Sequence, residues 1–250
     1  MSDDRTGSSE VPDIDEVMEH FYRGLQESEI QRRLSVIGFE LNKVRKYANE
    51  WNTDSDLISQ SIVFLTLSAY FAGLVPLVRI EGALFVEKNF RNEYAYALVA
   101  RAYVEVAGRI HKGLRLWRLY KSGVCTIADF NNGTKRLMGR HQSTDLAAPY
   151  GYFKDNGFNV MTLIDSLDDK IPAIQELYGQ LSCYTHGDFS YHMMSRQRSL
   201  IADLRLEDSF LIGDIEKELM VLRDVIFDDF DELLNVTKEL RERYDRMHHG

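Results

Sequence analysis

The chain has 250 residues, 30 of them Lys or Arg and 39 Asp or Glu, for a net charge of −9. That balance disfavours a general polyanion binder, because sequence-independent nucleic-acid binding rests on basic side chains neutralising phosphates. Four prolines and 16 glycines with 44% hydrophobic residues argue against turn-rich β architectures and low-complexity linkers, and favour a folded core.

Residues 1–13, MSDDRTGSSEVPD, lack the basic and apolar regions of a signal peptide and read as a disordered acidic tail. Residues 14–250 read as a single helical domain. Over 29–51 the apolar positions Ile30, Leu34, Ile37, Leu41, Val44, Ala48 and Trp51 recur every three or four residues, which predicts an amphipathic helix. The uncharged segment 57–78, LISQSIVFLTLSAYFAGLVPLV, is long enough to span a bilayer. Its Ser, Gln, Thr, Gly and Pro content instead favours a buried core helix over 56–75, broken near Pro76 and followed by a helical piece reaching about residue 88. A membrane span is the weaker expectation.

One long helix is predicted over 91–121, with Tyr96, Val99, Tyr103, Val106, Ile110, Leu114 and Trp117 along its stripe. The stretch 122–159 carries five glycines and the turn signals Asn-Asn-Gly and Asp-Asn-Gly, so it reads as an irregular insert with short helices. Helical pattern returns over 160–167 and 172–185, and a short strand competes with helix over 198–207. In the last element, 213–247, Leu219, Ile226, Leu233, Leu240 and Met247 repeat every seven residues. Ile215, Leu222 and Val236 fill the companion column, which Asp229 and Arg243 interrupt. Such a repeat predicts a long bundle helix, which could also bind a partner protein or a second copy. The fold expected is an all-α multi-helix bundle with long antiparallel helices.

Cys125 and Cys183 are the only cysteines and stand in no metal or redox motif. They read as packing residues in a reducing, cytoplasmic compartment. No cofactor or metal is expected, since His186, Asp188 and His192 match no standard ligand spacing. The motifs of P-loops, dinucleotide folds, zinc proteases and serine hydrolases are absent.

Charge is unevenly spread. Over 101–141, nine basic residues (Arg101, Arg109, Lys112, Arg115, Arg118, Lys121, Lys135, Arg136, Arg140) stand against Glu105 and Asp129, a net of +7. Over 203–232, eleven acids stand against three basic residues, a net of −8. The two segments either pair with each other, or the basic one offers a phosphate-binding surface for RNA with Trp117 and Tyr120 for stacking.

Arg101, Glu105 and Arg109 fall at i, i+4 and i+8 and share a helical face. They form either a structural brace or part of a site. His186 closes a predicted helix, where an imidazole can cap the helix or act as general acid or base. Arg136 and His141 form an Arg-x4-His pair, a spacing found in metal-independent helical ribonucleases. Arg243 with His248 shows how readily such a pair arises by chance.

The segments ALVARAYVEVAGRIHKGL and LYGQLSCYTHG resemble a widespread group of all-helical bacterial proteins. Their pattern joins Arg-x3-Glu in one helix to Tyr-x2-Leu-Ser and a His at the end of a later one. Arg101, Glu105, Tyr178, Leu181, Ser182 and His186 fill those places, over 91–119 and 159–187. The group is similar in turn to HEPN-like helical domains of phage-defence and toxin systems. The resemblance implies an RNA-directed nuclease or RNA-binding effector. His186 would then serve as acid or base, Arg101 and Glu105 as its catalytic partners, and Arg109, Lys112 and Tyr178 as substrate contacts. The alternative is a non-catalytic helical interaction protein in which Arg101, Glu105 and His186 brace the fold. The Arg-x4-His pair departs from the nuclease pattern, because it lies in the insert and outside the resembling segments.

Overall fold

In the computed structural model, the structure describes residues 32–43, 55–86, 93–137, 157–185 and 205–249. These residues are helical almost throughout, and no strand occurs among them. We number the elements α1 (32–43), α2 (Ser55–Val86), α3 (Glu93–Lys121), α4 (Ile127–Leu137), α5 (Val160–Ile164), α6 (Ile174–Thr185) and α7 (Arg205–His249). A single 3-10 turn, Asp165–Leu167, continues α5. The all-α bundle expected from the periodicity is the fold observed.

The central element is α3, which packs against α2, α4, α5, α6 and α7. Its stripe residues Tyr103, Ile110 and Leu114 are wholly buried, and so are Ala100, Val104 and Ala107 on the other sides. Its first half is apolar on most sides, which suits a helix packed on several neighbours, while its C-terminal half keeps an exposed basic face with Arg115, Arg118 and Lys121. Gly108 permits the tightest approach: a Cβ there would lie 2.9 Å from the backbone oxygen of Leu163.

Contact pairs give the directions. Phe64 meets Trp117 edge-on at 5.2 Å and Tyr70 lies under Arg109, so α2 runs antiparallel to α3. Phe71 meets Phe230 at 5.4 Å and Glu81 meets Arg223, so α2 also runs antiparallel to α7. The helices α3 and α7 are therefore parallel, and the antiparallel pairing expected of the long helices belongs to α2.

Several boundaries depart from expectation. Pro76 sits inside one continuous 32-residue helix and does not break it. The ring is exposed, and buried side chains on both sides of it, Phe71 and Leu74 before and Glu81 and Phe85 after, hold the helix through the defect. Tertiary burial there outweighs the local cost of a proline. The last helix begins at Arg205, eight residues before the expected start. Of the competing strand, residues 205–207 are helical, and 198–204 lie outside the described residues, as do 1–31. Within the insert, α4 is a regular helix opened by a capping box: Thr126 N donates to Asp129 Oδ2 at 3.0 Å and Asp129 N to Thr126 Oγ1 at 3.2 Å.

The two cysteines differ. Cys125 is half-buried against the core, whereas Cys183 is exposed on α6, so the packing role expected of both holds for Cys125 alone. The segment Gln60–Phe85 has the length and apolarity to cross a membrane, with a mean hydropathy of 2.0. Its buried residues, Glu81 among them, face α3 and α7.

Candidate functional site

The Arg101 cluster joins α3 to α6. Arg101 and Glu105 lie one turn apart on α3, and Arg101 Nε donates to Glu105 Oε1 at 3.1 Å. Tyr178, on the first turns of α6, donates its hydroxyl to the same Oε1 at 2.7 Å and accepts from Arg101 Nε at 3.1 Å. Its ring lies 5.3 Å from the guanidinium carbon. At the end of α6, Thr185 Oγ1 accepts from Arg101 Nη1 at 2.9 Å. Burial and the Glu105 carboxylate raise the Tyr178 phenol above its ordinary range, against the opposing pull of Arg101.

Arg101 Nε thus serves both the Glu105 carboxylate and the Tyr178 phenol, and Nη1 the Thr185 hydroxyl, partners that a half-buried ion pair requires. Ser182 Oγ, also on α6, is buried without a hydrogen-bond partner. His186, with Asp188 and His192, lies outside the described residues. The helical face predicted for Arg101, Glu105 and Arg109 divides: Arg109 Nη1 turns away and donates to the Leu137 carbonyl at 3.1 Å, which Tyr70 also caps at 2.7 Å.

A second constellation lies further along α3. Phe158 draws two cations to its ring, Arg136 of α4 at 4.2 Å and Lys112 of α3 at 5.4 Å. Phe158 N also donates to the Arg136 carbonyl at 3.2 Å, which fixes the aromatic between the two helices. Arg115, exposed one turn beyond Lys112, completes the group. Lys112 has its pKa lowered by partial burial, then by Arg115 and Arg136, with Asp165 the opposing charge. Arg115 and Arg136 lie close enough to disfavour the Lys112 charge, and an anion at this surface would stabilise it. Trp117 is buried instead of free to stack: it packs among Phe64, Tyr120 and Phe130. His141 lies outside the described residues, so the Arg-x4-His pair is represented by Arg136 alone.

The basic segment thus splits by function. Its C-terminal part faces α7: Arg118 bonds Glu232 and lies 3.2 Å from Asp229 Oδ1, and Lys121 Nζ lies 2.6 Å from Glu239 Oε1. Pairing between the basic and acidic segments is real there, while Lys112 and Arg115 make no such pair.

Two buried polar groups escape the sequence reading. His111, 1% exposed, holds Asp229 through Nδ1 at 2.9 and 3.1 Å, and its Nε2 lies 4.0 Å from Asp169 Oδ1. Asp229 is the residue that interrupts the apolar column of α7, and that interruption was the available signal. Deeper in the core, Arg223 of α7 bonds Glu81 of α2 and lies 2.7 Å from Glu216 Oε1. Tyr96 of α3 donates to Glu216 Oε2 at 2.9 Å. Among the described residues, no group of three or more His, Cys, Asp or Glu side chains could hold a metal ion.

No family model, curated protein or solved structure matches the chain.

Proposed function

We propose that the protein is an RNA-binding helical protein whose contact surface is formed by Lys112, Arg115 and Arg136 around Phe158. The Arg101 cluster acts in it as a brace between α3 and α6. The observation that carries this reading is the gathering of Lys112 and Arg136 on the Phe158 ring beside exposed Arg115, while Arg118 and Lys121 are taken up by α7 acids. A phosphate chain would neutralise the charge of Lys112 and Arg115, which pair with no α7 acid among the described residues. Both faces of an aromatic cannot serve bases while cations lie on it, so recognition rests on phosphates and is independent of base sequence.

The brace reading follows from the hydrogen bonds that tie Arg101, Glu105, Tyr178 and Thr185 across α3 and α6. Those bonds hold the Arg101 and Glu105 side chains in place between the two helices, in line with the RNA-binding side of the HEPN-like resemblance.

The test is fluorescence anisotropy with a labelled single-stranded RNA, with gel analysis of the same RNA after incubation. Binding that weakens at least tenfold in Lys112→Gln/Arg115→Gln but is little changed in Lys121→Gln, with intact RNA, is the expected result. Absence of binding at low salt overturns the reading. Cleavage abolished by Arg101→Ala would restore the nuclease alternative.

A further inference from the structure

The core holds a charge centre that lies apart from the RNA surface. Glu81 of α2 and Glu216 of α7 are both 0% exposed, and Arg223 of α7 is 2% exposed. One guanidinium between two carboxylates leaves a surplus negative charge when both acids are ionised. A buried uncompensated charge is among the costliest features a core can carry.

The hydrogen bonding there is also incomplete, since Arg223 Nε and Nη1, the Tyr103 hydroxyl and one oxygen of each carboxylate lack a partner. Arg223 Nη2 serves Glu81 Oε2 and the Tyr96 hydroxyl serves Glu216 Oε2. Glu81 Oε1 and Glu216 Oε1 have no hydrogen-bond donor, although Arg223 Nη1 lies 2.7 Å from the latter, off the line of a hydrogen bond. Both carboxylates lie against the same guanidinium.

We propose that Glu216 carries a bound proton at neutral pH, as the acid member of an acid–carboxylate pair clamped by Arg223. That proton cancels the surplus charge of two buried carboxylates against one guanidinium. A monovalent metal ion would cancel the charge as well, but Arg223 Nη1 already occupies the approach to Glu216 Oε1 and repels it.

The surroundings agree. Glu216 is held well above the ordinary carboxyl range by burial first and by Glu81 second, against the weaker pulls of Arg223 and Tyr96. The other groups facing the centre are Tyr96 and Tyr103 of α3, both raised mainly by burial, and Asp224 of α7, whose field reaches Tyr103. Because the folded pKa is raised, the unfolded chain releases this proton at lower pH than the folded one does. The centre's contribution to stability is then full below about pH 4.5, the ordinary value, and declines as pH rises towards the folded pKa. The proton works as a ligand that ties α2 to α7.

The experiment is infrared spectroscopy of the intact protein at neutral pH, with 13C-labelled glutamate carboxyls. Denaturation over a pH series accompanies it, for the natural chain, Glu81→Gln and Glu216→Gln. A protonated glutamate band in the natural chain is expected. Glu216→Gln should remove it, together with a pH-dependent component of up to about tenfold in the unfolding constant per pH unit. Absence of that band overturns the proposal, whether or not either variant folds. A band that persists in both folded variants overturns it too.

Discussion

Asp229 shows how a single residue is read differently in a pattern and in a core. In the heptad pattern of α7 it is a break, and in the structure it is buried and bonded to His111 and Arg118. Removing a partner from a buried polar pair leaves the other group desolvated and unpaired, and that penalty dominates the cost. Asp229→Ala should therefore destabilise the protein by about 3 kcal/mol in chemical denaturation, more than Asp229→Asn. Tyr178 is the corresponding test of the brace. Tyr178→Phe keeps the ring under Arg101 but removes the hydroxyl shared with Glu105, a loss of about 1 kcal/mol. RNA affinity measured by anisotropy should stay unchanged in that variant. The pairing of Arg101 with Glu105 was legible from their i, i+4 spacing, and the resemblance added Tyr178. His111 was not legible, because its partner lies 118 residues away.

At the scale of elements, periodicity located the helices well and their ends poorly. The stripes of α1 and α7 carry the residues expected: Leu34, Ile37, Leu41, Leu219, Leu222, Leu233 and Leu240 are buried. The error at Pro76 has a definite cause, since a sequence rule weighs a proline against local propensity alone. Here Leu74 and Glu81 anchor the helix on either side. The defect still costs energy. Replacing Pro76 by Ala should raise stability by about 1–3 kcal/mol, read as a higher midpoint in urea. The end of α3 was better marked: Gly123, at φ +74°, completes a Schellman closure in which its N–H bonds the Tyr120 carbonyl and Val124 N–H bonds that of Leu119.

For the whole molecule, the net charge of −9 says little about any one surface. Folding places Arg118 and Lys121 against α7 and sets Lys112 and Arg136 on the Phe158 ring, with Arg115 exposed one turn beyond Lys112. A surface of three cations has a measurable signature. The logarithm of RNA affinity should fall with the logarithm of salt concentration with a slope of about −2, and Lys112→Gln/Arg115→Gln should flatten it. A slope near zero would show that the basic segment does not carry the binding.

The sequence by itself determined the all-α class, the positions of the long helices and the unequal charge of the middle and end of the chain. Each follows from local spacing, because a helix repeats every 3.6 residues and its neighbours in sequence are its neighbours in space. Only the tertiary structure decided which charges pair across elements. It also decided that Pro76 continues a helix, and that Glu81, Glu216 and Arg223 meet in the core. The pairs Arg118–Glu232 and Glu81–Arg223 join side chains more than a hundred residues apart, whose burial and distance no local pattern encodes.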